Sequence, residues 1–320
     1  MLVLRHYADP PAAAGAAVAA LGNFDGVHLG HQAVIRAAAN EALALAAPRL
    51  VLTFEPHPRR LFQPHAAPFR LTSLRTKARY LEALGVDVLV VLRFDRAFSE
   101  VTAEEFVETV LVHGLGVRHV AVGYNFVFGN RRRGDTALLV RMGKAMGFGV
   151  SEVAPVAGAD GVPYSSTLVR EALAAGDPTT AAALLGRLWE VEGRVVVGDR
   201  RGQRLGFPTA NLTLADFLRP RTGVYAVRAG VDQGARTVWR DGVANFGRRP
   251  TFAGDDLVLE VHLFDFADDL YGKHLRVRFV DYLRPERRFE GIDALRLQIA
   301  EDGESARRAL AAMCGEKRAS

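Results

Sequence analysis

The hydrophobic period of this 320-residue chain changes once, near residue 187, and that change constrains the fold more than any other feature. Before it, short apolar runs of strand length alternate with segments of helical period. The run VLVVL at 88–92 shows no polar alternation, which is typical of a parallel strand buried on both faces. Repeated β–α units predict an open, mostly parallel sheet with helices on both faces.

After residue 187 the helical period disappears until the C-terminus. Strand-like segments punctuated by Gly and Pro replace it, at 192–197, 223–229, 237–245, 257–264 and 275–283. They predict a small antiparallel β-barrel. Apolar spacing over 292–313 adds one or two helices packed on that barrel. A chain of this length exceeds what one core usually serves, so we expect an α/β domain at 1–186 and a β domain at 187–320.

Composition and charge narrow the choice of partners. The net charge of +5 and the pI of about 9.6 suit a protein that handles small polyanions. The charge excess is mild, and its densest run, Arg131–Arg133, is too short for a nucleic-acid surface, so we expect no nucleic-acid partner. The single cysteine, Cys314, permits neither a disulfide framework nor a cysteine-based zinc site within the chain.

The N-terminal segment is apolar and rich in alanine, but it does not match a signal peptide because Arg5 and Pro10-Pro11 interrupt it. No apolar stretch of the sequence is long enough to cross a membrane. We therefore expect a cytoplasmic protein with no membrane partner. The sequence carries no indication of its oligomeric state.

The segment GNFDGVHLGH, residues 22–31, follows the apolar run at 18–21 and precedes a predicted helix. In an open α/β sheet, ligands bind where strands end and helices begin. Glycines let a backbone approach a phosphate, a helix N-terminus attracts an anion, and His28 and His31 can donate hydrogen bonds to its oxygens. Alternatively, His28 and His31 are two exposed loop or first-turn histidines that bind no ligand. A zinc site with His57 is disfavoured because no carboxylate or cysteine completes the set, so we expect no zinc.

The pattern H-x-G-H after a strand is typical of nucleotidyltransferases, and the longer segment resembles that of the bacterial bifunctional riboflavin kinase/FAD synthetase family. Further motifs similar to that family's follow in its order: TFEPHP (53–58), VGYNFVFGNRRRG (122–134), SSTLVR (165–170), GDRRGQRLGFPTANL (198–212), NFGRRPTF (245–252), LEVHLFDF (259–266) and LYGK (270–273). The resemblance spans nearly the whole chain. One departure is Tyr124, where the family often has an acidic residue, although Asn125 is retained.

The resemblance implies a Rossmann-like nucleotidyltransferase domain followed by a riboflavin kinase-type barrel with a C-terminal helix. In the first domain it implies that His28 and His31 hold the phosphates of ATP while the FMN phosphate attacks the α-phosphate. Other residues would line the nucleotide and flavin sites or grip the leaving pyrophosphate, namely Gly22, Asn23, Phe24, His57, Asn125, Ser166, Thr167 and Arg170. Mg²⁺ would assist the transfer.

In the barrel, the resemblance implies that Glu260 is the general base for the riboflavin 5′-hydroxyl, and that Thr209 and Asn211 contact Mg²⁺ and phosphate. A loop able to wrap a phosphate chain would be shaped by Gly202, Gly206 and Pro208. No P-loop motif occurs. From residue type alone, Glu260 could equally be a solvent-facing strand residue, and Thr209 with Asn211 a satisfied polar pair.

The implied activity is ATP-dependent phosphorylation of riboflavin to FMN, followed by adenylylation of FMN to FAD, with riboflavin, FMN and ATP as the partners. Two alternatives stay open, a monofunctional homologue with one inactive half and a non-catalytic sensor of flavin or nucleotide. Retention of Glu260 and of both histidines disfavours the sensor, since a sensor has no need for a base.

Overall fold

The computed structural model describes residues 1–159, 161–198, 206–214, 216–251 and 254–319. These residues form two compact units. The first contains Met1–Ala66 and Lys77–Ser165, and the second contains Ala67–Thr76 and Ser166–Ser320. Gly202, one of the predicted kinase loop residues, lies outside the described residues. Within the described part of the chain, no helix is both long and apolar enough to span a membrane.

A parallel sheet organises the first unit. Its six strands are β1 (Leu2–Leu4), β2 (Val18–Leu21), β3 (Arg49–Glu55), β4 (Val88–Arg93), β5 (His119–Gly123) and β6 (Gly149–Val153). Their spatial order is β1-β4-β3-β2-β5-β6, and every pair is parallel. After β2 the chain adds β3 and then β4 on one side of β2 in the sheet, and it then adds β5 and β6 on the other side. The predicted open α/β sheet is therefore confirmed, and its strand order reverses between β2 and β5.

The sequence predicted the inner strand β4 of this sheet but not the edge strand β1. Val88–Leu92 in β4 is buried throughout, as its uniform apolar run predicts. The edge strand β1 was not predicted, because three residues show no period and the strand exists only through its pairing with β4.

Helices connect and cover these strands. They are α1 (Leu29–Ala44), α2 (Pro58–Phe62), α3 (Leu74–Ala83), α4 (Arg96–Ser99), α5 (Ala103–Glu105) and α6 (Thr136–Met146). A capping box begins α5, since Thr102 Oγ1 accepts from the Glu105 amide at 3.1 Å and Glu105 Oε2 accepts from the Thr102 amide at 2.9 Å. Beyond α5 the chain continues in wider, π-helical turns over Phe106–Gly114.

An antiparallel barrel organises the second unit. Its strands are β7 (Glu190–Arg194), β8 (Ala210–Thr213), β9 (Gly223–Val231), β10 (Arg240–Thr251), β11 (Gly254–Leu263) and β12 (His274–Arg284). The spatial order is β7-β12-β9-β10-β11-β8, and each neighbouring pair in this order is antiparallel. A single bridge between Val196 and Asn211 links the segment after β7 to β8 and nearly closes the sheet. The predicted barrel is confirmed.

Among the described residues, three α-helices accompany the barrel, α7 (Ser166–Ala175), α8 (Pro178–Leu185) and α9 (Ile292–Ala319). The C-terminal segment is therefore one helix. Its Ala306 and Leu310 pack on one side of the barrel wall, against Val224 and Val243. Both α7 and α8 belong to the second compact unit, whereas the boundary predicted between the two activities lies at residue 186 and stays a prediction.

The barrel wall separates an apolar interior from an outer face. Leu259 and Val261 of β11 are fully buried in the main barrel core with Phe246 and Phe279. Because successive side chains of a strand point to opposite faces, Glu260 projects from the outer face. The alternation of apolar Leu259 and Val261 with polar Glu260 therefore puts Glu260 on the outer face of the barrel wall.

Candidate active sites

The first candidate site lies where the strand order of the parallel sheet reverses. The segment 22–28 follows β2, His57 follows β3, and Asn125 follows β5. Carboxyl ends of neighbouring parallel strands meet at one edge, and ligands of open α/β sheets bind at the point of reversal. A Cβ added to Gly123 would stand 3.7 Å from Asn125 Oδ1 and 3.9 Å from Val34 on α1. The fold therefore brings the loops after β2, β3 and β5 to the same edge.

The loop after β2 has an unusual backbone. Phe24, Gly26 and Val27 have φ angles of 47°, 85° and 46°, all in the left-handed region. Such angles suit glycine but are strained for other residues, and most of all for a β-branched one. The Phe24 ring is buried, and a Cβ on Gly22 would approach it to 3.2 Å. Phe24 thus packs beneath the loop, so any contact it makes with a nucleotide would come from its backbone.

His28 occupies the N-cap position of α1. Its Nδ1 accepts a hydrogen bond from the His31 amide at 3.3 Å, which places the proton of a neutral His28 ring on Nε2. The two rings stack with centroids 3.6 Å apart, and the Phe24 ring meets His31 edge-on at 5.2 Å. His28 is buried, whereas His31 is partly accessible. The arrangement holds both imidazoles at the positive end of a helix, where anions bind.

Gly30 has a steric role in H-x-G-H. A Cβ at this position would lie 3.1 Å from the His28 ring and 3.3 Å from the Tyr164 carbonyl oxygen. Both distances are shorter than ordinary van der Waals contact. The glycine therefore allows the His28 ring to fold back over the first turn of α1.

The remaining predicted residues of the first site have simpler surroundings. His57 is half-buried and caps α2, with its Nδ1 accepting from the Arg59 amide at 3.1 Å. Asn125 is exposed beside Tyr124, which is the residue that departs from the family pattern. Ser166 and Thr167 begin α7 in the second unit. Arg170, one turn on, donates from Nε to the Phe69 carbonyl at 2.9 Å.

One polar residue at the first site was not predicted. Lys77 on α3 is only 2% exposed, and its Nζ donates to the Asn23 carbonyl oxygen at 2.7 Å. A sequence signal was available, because Lys77 precedes the fully buried Leu81 by four residues and so shares its helix face. Helical spacing alone did not indicate which loop the lysine would reach.

The second candidate site is a row of polar residues across three strands of the barrel. Glu260 on β11 pairs with Asn211 on β8 and with Asn245 on β10. Directly opposed residues of antiparallel strands project from the same face with Cβ atoms about 5 Å apart. The structure thus brings together Asn211 and Glu260, which are 49 residues apart in the sequence, on the outer face of the wall.

Asn211 on β8 is a buried polar residue of this row. It is 4% exposed, and among the described residues its Oδ1 has no hydrogen-bond partner. The segment after β7 passes directly over it, since the Val196 amide donates to the Asn211 carbonyl at 2.9 Å and a Cβ on Gly198 would approach the side-chain amide to 2.5 Å. A buried amide oxygen left unbonded costs free energy, and oxygen is the ligand that hard divalent cations prefer.

His262 on β11 contacts the loop before β8. His262 Nδ1 donates to the Pro208 carbonyl oxygen at 2.8 Å, and its ring meets Phe207 edge-on. His262 lies two residues from Glu260 on β11 and so shares its face. Thr209, next to Pro208, is half-buried, and Gly206 has a φ of 88°, which favours glycine.

A further group of potential metal ligands occurs elsewhere in the second unit. Ligand atoms of Glu192, Asp232 and His274 lie within 4.8 Å of one another. Asp232 also contacts Arg75 at 3.2 Å and Arg276 at 3.8 Å. These guanidinium groups already compensate its charge, so the group has the character of an ion-pair network.

Both halves of the chain match known protein families. The sequence matches the FAD synthetase family over residues 11–168 and the riboflavin kinase family over residues 185–310. A bifunctional riboflavin kinase/FMN adenylyltransferase of Escherichia coli K12 is 45% identical over 91% of each chain. The enzyme of that name from Pseudomonas fluorescens is 46% identical over 92% of this chain and 93% of its own. A crystal structure described as a macrolide-efflux protein from Streptococcus pneumoniae superposes with a TM-score of 0.85 at 29% identity, covering 96% of this chain and 99% of its own.

An adenylyltransferase-type α/β unit and a flavokinase-type barrel in one chain define a two-activity phosphotransfer enzyme. The chain belongs to the bifunctional riboflavin kinase/FMN adenylyltransferase family. Its riboflavin kinase part forms FMN from riboflavin and ATP, and its FAD synthetase part forms FAD from FMN and ATP. Riboflavin, FMN and ATP are its substrates. Enzymes that transfer phosphoryl or adenylyl groups from ATP generally use a divalent metal ion.

Proposed function

We propose that the loop 22–31 holds the phosphates of ATP during adenylyl transfer. An FMN phosphate oxygen forms a bond to the α-phosphorus while the bond to the bridging oxygen breaks and pyrophosphate leaves. No protein nucleophile is needed, so the protein acts by positioning and by stabilising negative charge. His28 and His31 donate to the phosphate oxygens. The support for this is the location of both rings at the start of α1, beside the point where the strand order reverses.

We propose further that Glu260 removes the proton of the riboflavin 5′-hydroxyl as that oxygen attacks the γ-phosphorus and ADP leaves. Asn211 and Thr209 contact the divalent ion, which we infer to be Mg²⁺, and this ion neutralises phosphate charge when bound. The single observation that carries this proposal is the cross-strand pair of Asn211 and Glu260, with the Asn211 oxygen unbonded among the described residues. This pair supports the proposal because it brings a carboxylate and an amide oxygen to directly opposed positions.

The other predicted residues keep their proposed roles. His57 and Asn125 would contact the reacting phosphates and FMN, and Ser166, Thr167 and Arg170 the pyrophosphate. The loop of Gly206 and Pro208 would follow the phosphate chain in the kinase site. We propose 1–186 and 187–320 as the ranges for the two activities, no zinc and no nucleic-acid or membrane partner, and the cytoplasm as the location.

A product assay tests both half-reactions and the choice of metal. Purified protein is mixed with riboflavin, ATP and either Mg²⁺, Mn²⁺, Ca²⁺ or a chelator, and flavins are separated over time. We expect FMN to rise and then to give way to FAD with Mg²⁺, and no product with the chelator. Full turnover under chelation would contradict the metal assignment. FMN without FAD would point to the first site, and the assay would then be repeated with FMN supplied.

Asn211→Leu should separate a metal-binding role from a structural one. The substitution removes an unbonded buried oxygen at similar volume, so we expect the free energy of unfolding to stay equal or to rise by about 1 kcal/mol. Riboflavin phosphorylation should fall roughly 100-fold, with weaker dependence on Mg²⁺ concentration. Thermal unfolding and kinase rates at several Mg²⁺ concentrations would be measured, with FMN adenylylation as the internal control. A stable variant with wild-type kinase kinetics would refute the assignment.

Gly30→Ala should impair FAD formation with little change in the free energy of unfolding. Alanine favours a helix over glycine by about 0.5–1 kcal/mol, which offsets part of the contact with the His28 ring. We expect the ring to shift by a few tenths of an ångström and adenylylation to fall roughly tenfold. Gly15→Ala is the matched control, because the nearest atom to its added Cβ is at 3.7 Å. Equal rates for the two variants would show that the position of His28 is not critical.

A further inference from the structure

A buried cation supports the loop after β2 from below. Lys77 is 2% exposed and Thr53 is fully buried. Both donate to the same acceptor, the Asn23 carbonyl oxygen, from Lys77 Nζ at 2.7 Å and from Thr53 Oγ1 at 3.0 Å. Nζ also lies 3.4 Å from Thr53 Oγ1. A lysine on a surface helix normally extends its ammonium group to water, so its burial against a loop carbonyl calls for a reason.

The orientation of one peptide unit supplies that reason. In a trans peptide the carbonyl and the following amide point in opposite directions. Fixing the Asn23 carbonyl toward Lys77 and Thr53 turns the Phe24 amide N–H to the opposite side of the loop. Phe24 has the strained φ of 47°, and a strained backbone persists only where its surroundings determine it. The two hydrogen bonds hold the peptide immediately before the strained residue.

We propose that Lys77 is a positioning residue for adenylyl transfer, which fixes the loop 22–28 through the Asn23 carbonyl. Its charge adds to the positive end of α1 at the same loop. Lys77 acts through the backbone, and Thr53 assists it. The inference rests on the proposed role of this loop in holding the phosphates of ATP, and it adds a residue that no motif of the sequence indicated.

Four variants test it, with both half-reactions measured on each preparation. For Lys77→Met we expect kcat for FMN adenylylation to fall roughly 100-fold while KM for ATP changes less than about tenfold, because a displaced loop loses transition-state contacts more than ground-state binding. Lys77→Arg should recover part of the rate, since the guanidinium can donate to the same carbonyl. Thr53→Val, which removes only the hydroxyl, should cost about tenfold. Lys144→Met, at an exposed lysine of the same unit, should match wild type.

Riboflavin phosphorylation should stay at the wild-type rate in all four variants, and circular dichroism reports folding. If Lys77→Met lowers the helix content of the protein, Thr53→Val decides, because a folded Thr53→Val at the wild-type rate would overturn the inference. Wild-type adenylylation by a folded Lys77→Met would also overturn it. His28→Ala is measured alongside. Its loss of activity beside an active Lys77→Met refutes only the role of Lys77, whereas wild-type activity in both refutes the placement of the site.

Discussion

Glu260→Ala is expected to abolish the formation of FMN from riboflavin and to leave the conversion of FMN to FAD at the wild-type rate. A positioned general base contributes roughly 10²–10⁴-fold to a reaction rate, so the kinase rate should fall by about that factor. The side chain projects from the outer face of β11, while its neighbours Leu259 and Val261 fill the barrel core. Truncating it should therefore change the free energy of unfolding little.

Two further variants sharpen this experiment. Glu260→Gln keeps the shape and removes the proton acceptor, so it should be as inactive as alanine if the carboxylate acts as a base. Asp268→Ala removes an exposed carboxylate from the turn between β11 and β12 and should have no effect. If Glu260→Gln retained more than a tenth of the kinase rate, the carboxylate would serve in binding or packing and the assignment of the base would be wrong.

His28→Ala and His31→Ala are each expected to stop FAD formation while FMN accumulates. Removing one preorganised donor from a charge-stabilising site costs about 10²–10³-fold in kcat. The riboflavin kinase reaction continues, so a time course from riboflavin should end at FMN. The same preparation supplied with FMN should form no FAD, which locates the block at the second reaction.

The N-cap role of His28 requires a control for stability. Losing a side-chain cap costs about 1 kcal/mol, because the His31 amide then lacks the acceptor that it has in the wild type. His28→Asn offers an oxygen to the same amide but no imidazole. We expect it to keep the unfolding temperature of the wild type and still to lose FAD formation. A His28→Asn variant with normal adenylylation would show that capping is the only function of this histidine.

Local chemistry determined much of what was predicted. The strand β4 depends on a run of neighbouring apolar residues and was predicted correctly. The change of period near residue 187 separated the parallel sheet from the barrel. Parallel strands are buried on both faces and read as continuous apolar runs, whereas antiparallel strands commonly bury one face and alternate. Motif order indicated the family, which the comparisons confirm.

Contacts between segments that are distant in the chain could not be predicted from the sequence. The strand β1 exists only through its pairing with β4, and Lys77 meets Asn23 across 54 positions of the chain. The roles predicted for His57 and Phe24 were drawn from motifs and stay predictions, and the structure adds that His57 caps α2 and that the Phe24 ring is buried. A motif specifies residue types in order, whereas burial and hydrogen-bond partners depend on the packing of the whole unit.

By itself the sequence determined the two architectures, their order, the family and the residue types at each site, since these depend on local period and on motifs. Only the tertiary structure decided that Asn211 stands beside Glu260 with its oxygen unbonded among the described residues, and that Lys77 lies beneath the loop of His28. The physical reason is that strand register and helix packing bring together side chains whose separation along the chain carries no signal of their proximity.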